Sequence, residues 1–454
     1  MLFALPLAVL LGFAVLGGLA QVPIVPPPTA AAPALPPAGV VPAQVPLDVS
    51  GAPVADANFL DGAIRAALDR TIRPTLRPGA SIAYGPIVPW PLVPVAVGDR
   101  AAANVTVTIS GDDTRAPVVA TTLVVISNVA PAHADPMVLF LSDDPEYLHA
   151  EGEVFRGDVS PARPARLYYY HSDSGVPRDL DVVLTSNVAA RVHLIGSASG
   201  PELDVMNVGH VVSRDYLLAR ANGLGTYATL QPGAAYVIHH ALLLPGEVVA
   251  GVVDVAVVAG GNVAVSVVAS PAGARPETYL AGPRVAYDGH HRHGAFDLAA
   301  YGTLAASYTV GRDTAIQYGG RLPTPQNLDP QDDGHDYGDY GVARRMTFTL
   351  ANPTDASRLI YFYERPVGGP VRSTFVVDNQ PIEVGCVRLP QPYAVKTYAL
   401  PAHSNGTSTV ITMTDGGSFY PLEFGITETP PNMTTPPVGS PDGCSPVPPP
   451  GAGA

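Results

Sequence analysis

Lysine is almost missing from this chain. Of 25 lysines and arginines together, Lys396 is the one lysine, and charged residues of both signs make up only 14% of 454 positions. The formal net charge is −14 and the isoelectric point is near 5.2. No cluster of cations interrupts that acidity, which excludes polyanionic partners such as nucleic acid or an anionic membrane surface. Cysteine is equally scarce, at two residues, and there is a single tryptophan. Two widely spaced cysteines exclude a disulfide-dense scaffold and a thiolate metal centre. The local signatures of common enzymes are missing too. GSASG at 196–200 carries alanine where a nucleophile elbow needs serine, and there is no H-E-x-x-H, phosphate-binding lysine loop or dinucleotide glycine motif after a strand. Paired carboxylates of glycoside hydrolysis are set by distance in space, so spacing alone does not address them.

What is present is a globular composition, 47% hydrophobic, long enough for several cores. The opening MLFALPLAVLLGFAVLGGLAQ is apolar and ends in Gly18-Leu19-Ala20, small where a signal peptidase inspects. Residues 1–20 are therefore expected to be a secretory signal peptide, although no Lys or Arg precedes the run. If it stayed uncleaved, it would be a membrane anchor and the chain's only contact with a membrane. Export fits the two cysteines: Cys386 and Cys444 are expected to pair in an oxidising compartment and tie back the C-terminal tail. Two unpaired thiols are the alternative.

Residues 21–56 hold ten prolines and residues 430–450 hold nine. Both ends read as extended proline-rich segments, a linker (21–56) and a tail (430–454). One amphipathic helix is expected in ANFLDGAIRAALDRTI, with Asn58 as cap and Arg73-Pro74 as stop, and a shorter one over Val211–Arg220. Elsewhere stretches such as ANVTVTIS, VVDVAVVAG, RRMTFTLAN and STFVVDN alternate with period two between Gly, Pro and Asn turns. That pattern predicts an all-β chain of tandem antiparallel β-sandwich (Ig-like) domains. The expected units are a small helix-plus-β unit (57–138), a first sandwich (139–272) and a second (273–429). ARLYYYHSDSGVPRDLDVVLTSN, from Ala165, echoes SRLIYFYERPVGGPVRSTFVVDN, from Ser357. Two related folds, or two hairpins of similar grammar, would each produce that echo.

Around these residues the chain resembles a known type. LFLSDDPE (139–146), the RLYYYH strand and YGDYGV (337–342) are similar to a β-rich module of uncharacterised secreted or cell-surface bacterial proteins. Some of those carry a copper amine oxidase N-terminal-like domain, a stalk element. The resemblance spans about 139–429 through short motifs. It implies a surface location and a non-catalytic β fold. No stalk domain is found here, and nothing points to copper or amine oxidation.

Three groups of residues are candidates for chemistry. The run DPQDDGHDYGDYG (329–341) gathers Asp329, Asp332, Asp333, Asp336, Asp339 and His335. Its spacing fails the EF-hand pattern, though a loop can still fold carboxylates around calcium. The expectation is an ordered loop whose aspartates mostly face water, held by Tyr337 and Tyr340 packing back on the sandwich, with Gly338 and Gly341 giving backbone freedom. The second candidate is YDGHHRHG. His291 and His293 would share a face if extended, and with His335 or Asp332, Asp333 or Asp336 they could hold zinc or copper; an exposed turn is the alternative. The third is a sugar platform of aromatics, Tyr168 and Tyr170 on one face with Tyr169 on the other, repeated in Tyr361, Phe362 and Tyr363; Trp90 is expected to pack beside its flanking prolines. The reading is an exported, secreted or cell-surface protein, non-enzymatic, without a required cofactor, whose partners are cell-envelope or extracellular glycan or protein. A glycan-binding module and a metal-dependent hydrolase are the alternatives.

Overall fold

The computed structural model describes residues 35–112, 114–132, 134–280, 282–319, 336–434 and 444. The expected signal peptide, the first part of the expected linker and most of the C-terminal tail lie outside the described residues. The chain is mostly β, with two α-helices among the described residues, Ala57–Ile72 (α1) and Val205–Ala221 (α2). None of these helices is long and apolar enough to cross a membrane. The largest sheet has eleven strands, and it joins the N-terminal unit directly to the first sandwich through the strand Gln44–Ser50. That strand lies inside the segment expected to be a linker, so the folded part begins earlier than composition suggested. Pro46 is tolerated there for a local reason. The parallel ladder to Val118–Asn128 covers residues 44–49, whereas the antiparallel ladder to Gly225–Leu230 holds only Val49 and Ser50. At Pro46 the other side of the strand carries no ladder, so the missing N–H costs no sheet hydrogen bond.

α1 forms as its apolar spacing requires. Leu60, Ile64, Leu68 and Ile72 are fully buried against the N-terminal strands. Its cap is Asp56, two residues before the expected Asn58: the Asp56 carboxylate accepts the N–H groups of Asn58 and Phe59 at 2.9 and 3.0 Å. Asp61–Arg65 and Asp69–Arg73 pairs line its outer face one turn apart.

In the first sandwich the large sheet faces a four-stranded one. Leu167, Tyr169, Val249, Val253 and Val255 from one side meet Val154, Leu180, Val182, Val265 and Val267 from the other. Each such fully buried side chain contributes on the order of 1.5–3 kcal/mol. The second sandwich stacks a five-stranded sheet on a four-stranded one around Phe348, Phe362, Phe375 and Phe424. Pairing is not purely antiparallel: Ala165–Asp173 runs parallel to Val138–Ser142, and Leu304–Thr309 parallel to Arg344–Asn352. The sequence echo has a structural counterpart that is not a hairpin. Ala165–Asp173 lies in one sheet and Arg178–Thr185 in the sheet facing it; Arg358–Pro366 and Val371–Val377 divide in the same way.

The boundary at 273 also shifts. His293–Asp297 pairs antiparallel with Val138–Ser142 and closes the edge of the large sheet, so this segment belongs to the first sandwich. Helix α2, longer than expected at its start and capped by Asp204, lies between the sandwiches. Val208, Val212, Tyr216 and Leu217 pack with Leu141, Tyr168, Val248 and Val252 on one side, and with Val376 and Met413 on the other.

Candidate functional site at the junction of the sandwiches

The motifs singled out by sequence converge here, but in a closed arrangement. Asp336 and Asp339 do not face water; each is 2% exposed. Asp336 accepts hydrogen bonds from the Tyr301 hydroxyl (3.1 Å) and the Tyr340 N–H (3.2 Å). Asp339 pairs with Arg344 at 3.1 Å, and that guanidinium lies 4.8 Å from the Tyr301 ring. The cause is the close approach of the chain at Gly341, whose φ is +74° and where a Cβ would stand 2.8 Å from both Leu139 and Tyr168. Only glycine seats the loop that tightly on the outer face of the first sandwich. Tyr340 packs as expected, its hydroxyl donating to the Ser418 carbonyl at 2.8 Å, whereas the Tyr337 ring is exposed. Asp329, Asp332, Asp333 and His335 lie outside the described residues.

The histidines go to different partners. His291 stands between two carboxylates, Nδ1 2.7 Å from Asp288 and Nε2 3.0 Å from Glu146. Hydrogen bonds donated to Glu146 and Asp288 overcome partial burial and raise it to about 9, so it is an imidazolium at neutral pH. His293 is buried in its strand, with Nε2 2.6 Å from the Tyr287 hydroxyl and its ring beside Phe155. His290 is exposed. Among the described residues no group of three or more His, Cys, Asp or Glu is arranged to hold a metal ion.

Burial dominates the titration of this region. Asp143 is pushed up to about 8 by burial, against the opposing pull of Arg292 at 3.2 Å. Asp336 is pushed up to about 7 by burial and then by Asp339. Farther along α2, Asp254 collects four donors. Arg166 grips it side-on (2.7 and 3.4 Å), the Tyr216 hydroxyl donates at 2.8 Å, and Arg220 bridges it to Asp135. Arg166 also donates to the Gly341 carbonyl at 3.0 Å, crossing into the acidic loop.

α2 is fastened to the second sandwich by comparable chemistry, which sequence reading missed. A Cβ on Gly209 would stand 2.0 Å from the Gly416 carbonyl oxygen. The next residue, His210, puts Nδ1 2.7 Å from Asp415 and Nε2 3.1 Å from Glu383. Burial alone would lower this histidine, yet Asp415 and Glu383 together raise it. Cys386 and Cys444 form a disulfide beside Met206 of the same helix, with Cα atoms 5.4 Å apart.

One arrangement has the form of an activated nucleophile. Ser142 Oγ is 3.0 Å from His171 Nε2, and His171 Nδ1 is 2.9 Å from the Pro145 carbonyl. The carbonyl can only accept, so Nδ1 carries the proton and Ser142 donates to Nε2. Both residues are fully buried, and burial lowers His171 to about 4. With no approach for a substrate, the pair latches two parallel strands. The tyrosine platform is closed in the same way. Tyr169 fills the first sandwich core, and Tyr168 and Tyr170 are buried at the junction, so none presents a face to a glycan. Phe362 is core, while Tyr361 and Tyr363 are half-buried. Trp90 departs from its expected packing and is 63% exposed.

No family model and no curated protein matches this chain. Among solved structures it is similar to tripeptidyl peptidase 2, at 8% identity and a TM-score of 0.16, over 73% of this chain and 26% of that one. Lac15 from a marine microbial metagenome matches at 9% identity and 0.13, over 70% of each chain. A multi-copper oxidase from Pseudomonas parafulva matches at 11% and 0.10, over 63% of this chain and 53% of that one. The chain thus spans about a quarter of the peptidase.

Proposed function

We propose that this chain is an exported, non-enzymatic surface protein, with tandem Ig-like sandwiches presented at the cell envelope for structural or adhesive work. The observation that carries this reading is the junction. Groups capable of chemistry there are largely engaged with one another: the Asp254 network fixes α2 to the first sandwich, His210 ties α2 to Asp415 of the second, and Asp336 is held by Tyr301. A rigid pair of sandwiches suits the transmission of load between the ends of the chain. The Cys386–Cys444 disulfide supports assembly in an oxidising compartment. The signal at residues 1–20 and the proline-rich approach support export, and the resemblance to secreted β-rich modules agrees.

Fractionation of producing cells with N-terminal sequencing and thiol counting tests this. The expected result is protein in the secreted or surface fraction, beginning at Gln21 and without a reactive thiol after denaturation. Soluble cytoplasmic protein retaining Met1 and two free thiols would overturn it.

A further inference from the structure

A cleft of about 750 Å³ lies away from the junction, between the N-terminal unit and the first sandwich. Its size falls within the range of small-molecule sites. The floor is the outer face of Arg178–Thr185 and its neighbour Tyr236–Leu243, where Asp181 and His240 are cross-strand partners. Asp179 stands two residues before Asp181 on the same face. One wall is the last turn of α1 and the segment after it, carrying Arg70 and Arg77.

The floor is incomplete as it stands. Asp181 is 2% exposed. Its Oδ1 accepts from His240 Nδ1 at 2.9 Å, yet Oδ2 has no hydrogen-bond partner among the described residues. A buried carboxylate oxygen left without a donor costs about 1–3 kcal/mol or more, and this one borders a cavity. Asp179 Oδ2 accepts the Gly273 N–H at 2.6 Å, while its Oδ1 is 3.9 Å from His240 Nε2, too far for a direct bond. Both acceptors thus line the cleft from strands, not from loops, and both are buried beneath its surface. Donors face them: Arg70 has its guanidinium 5.5 Å from the Tyr236 ring centre, and Arg77 is exposed on the same wall.

We propose that this cleft binds a neutral saccharide. A sugar hydroxyl donates and accepts at once, which matches carboxylates on the floor and guanidiniums on the wall. Tyr236 lines the cleft too, with the Arg70 guanidinium over one face of its ring, so a sugar's apolar face has only the other face or the ring edge to meet. As many arginines as carboxylates line the cleft, so its charge balance favours a neutral guest over a free cation or anion. One hydroxyl donating to Asp181 Oδ2 satisfies the atom that the fold leaves without a partner. This inference stands apart from the question of export, since it concerns only folded protein in solution.

Titration calorimetry of the whole protein with glucose, N-acetylglucosamine, galactose, cellobiose and maltose tests it, with inorganic phosphate and spermidine as anion and cation probes. Saturable binding of at least one sugar is expected, weakened about tenfold or more in Asp181→Asn, the loss of one charge-assisted hydrogen bond. Arg70→Ala should weaken the same sugar, while Asp336→Asn at the junction should not. Melting curves of each variant separate a lost contact from a lost fold. If no sugar in the panel binds, the proposal fails. It also fails if phosphate or spermidine binds and only that binding responds to Asp181→Asn, or if sugar binding survives both cleft substitutions in folded protein.

Discussion

The junction and the cleft are built from the same residue types and put them to opposite use. At the junction Asp254 meets Arg166 and Arg220 through both oxygens, whereas Asp415 meets His210 through one oxygen and its other, like one of Asp143, has no partner among the described residues. In the cleft, Asp181 keeps one oxygen without a partner beside an open volume. The contrast shows that the count of Asp, His and Arg in a region says little about function. Whether their hydrogen-bonding capacity is already spent says much more. Substitutions on each side put that difference to the test.

The largest effect belongs to Asp254. Replacing it by Asn puts an amide N–H₂ among the donors of Arg166, Tyr216 and Arg220 and leaves a buried guanidinium without its anion. Breaking one partner of such a buried pair costs about 3–5 kcal/mol. Urea unfolding should show that loss. A change below about 1 kcal/mol would mean the network contributes little, and the junction would not be the fixed joint described.

Gly209→Ala comes next. Its methyl group would meet the Gly416 backbone, so α2 must move away from the second sandwich. Overpacking of this kind costs about 1–3 kcal/mol. Limited proteolysis should cut the variant between the sandwiches sooner than the parent. Equal cleavage rates would show that the helix and loop separate freely.

A smaller effect appears with pH. His291 is raised to about 9 by Glu146 and Asp288, above its unfolded value near 6.5. Its stabilisation is therefore complete below about 6.5 and is lost as pH rises through about 9. Asp336, raised to about 7 by burial, retains a proton that the unfolded chain releases near 4. Folded protein then binds more protons, and stability falls between about pH 4 and 7. Both groups act in the same direction, while buried His171, lowered to about 4, acts against them below about 6.5, so the melting temperature should decline from about pH 6.5 to pH 9. His291→Gln should flatten the upper part of that decline, by no more than about 2 kcal/mol given its partial exposure, and Asp336→Asn the lower part. A melting temperature that rises across this range would contradict both assignments.

Much of the β architecture was legible because alternation reports directly which side chains face a core. The strand Gln44–Ser50 was not, since proline usually argues against a strand, and only the short reach of one neighbouring ladder makes Pro46 harmless. The start of α2 was hidden by Gly209, a poor helix residue kept for its contact with Gly416. In the acidic loop the composition was visible but the burial was not. Asp336 and Asp339 are held by Tyr301 and Arg344, and the loop itself is seated through Gly341 against strands far earlier in the chain, as the Arg166–Gly341 hydrogen bond spans 175 positions. The cleft gave no local signal. Asp179 and Asp181 look like ordinary polar positions of an alternating strand, and they matter only because α1 stands over them.

The smallest stability effect is expected for Asp181→Asn, and its smallness is what distinguishes the cleft from the junction. The substitution weakens the hydrogen bond from His240 Nδ1, since Asn offers a neutral acceptor in place of a charged one. It also removes a buried charge whose second oxygen lacks a partner, which stabilises the fold. The two changes oppose each other, and each is on the order of 1 kcal/mol. Their sum should stay within about 1 kcal/mol of zero, well below the loss at Asp254. Parallel urea titrations of the two Asn variants make the comparison. Equal losses would mean that Asp181 is as fully committed to the fold as Asp254, and the cleft would then be a structural seam with no oxygen held in reserve for a ligand.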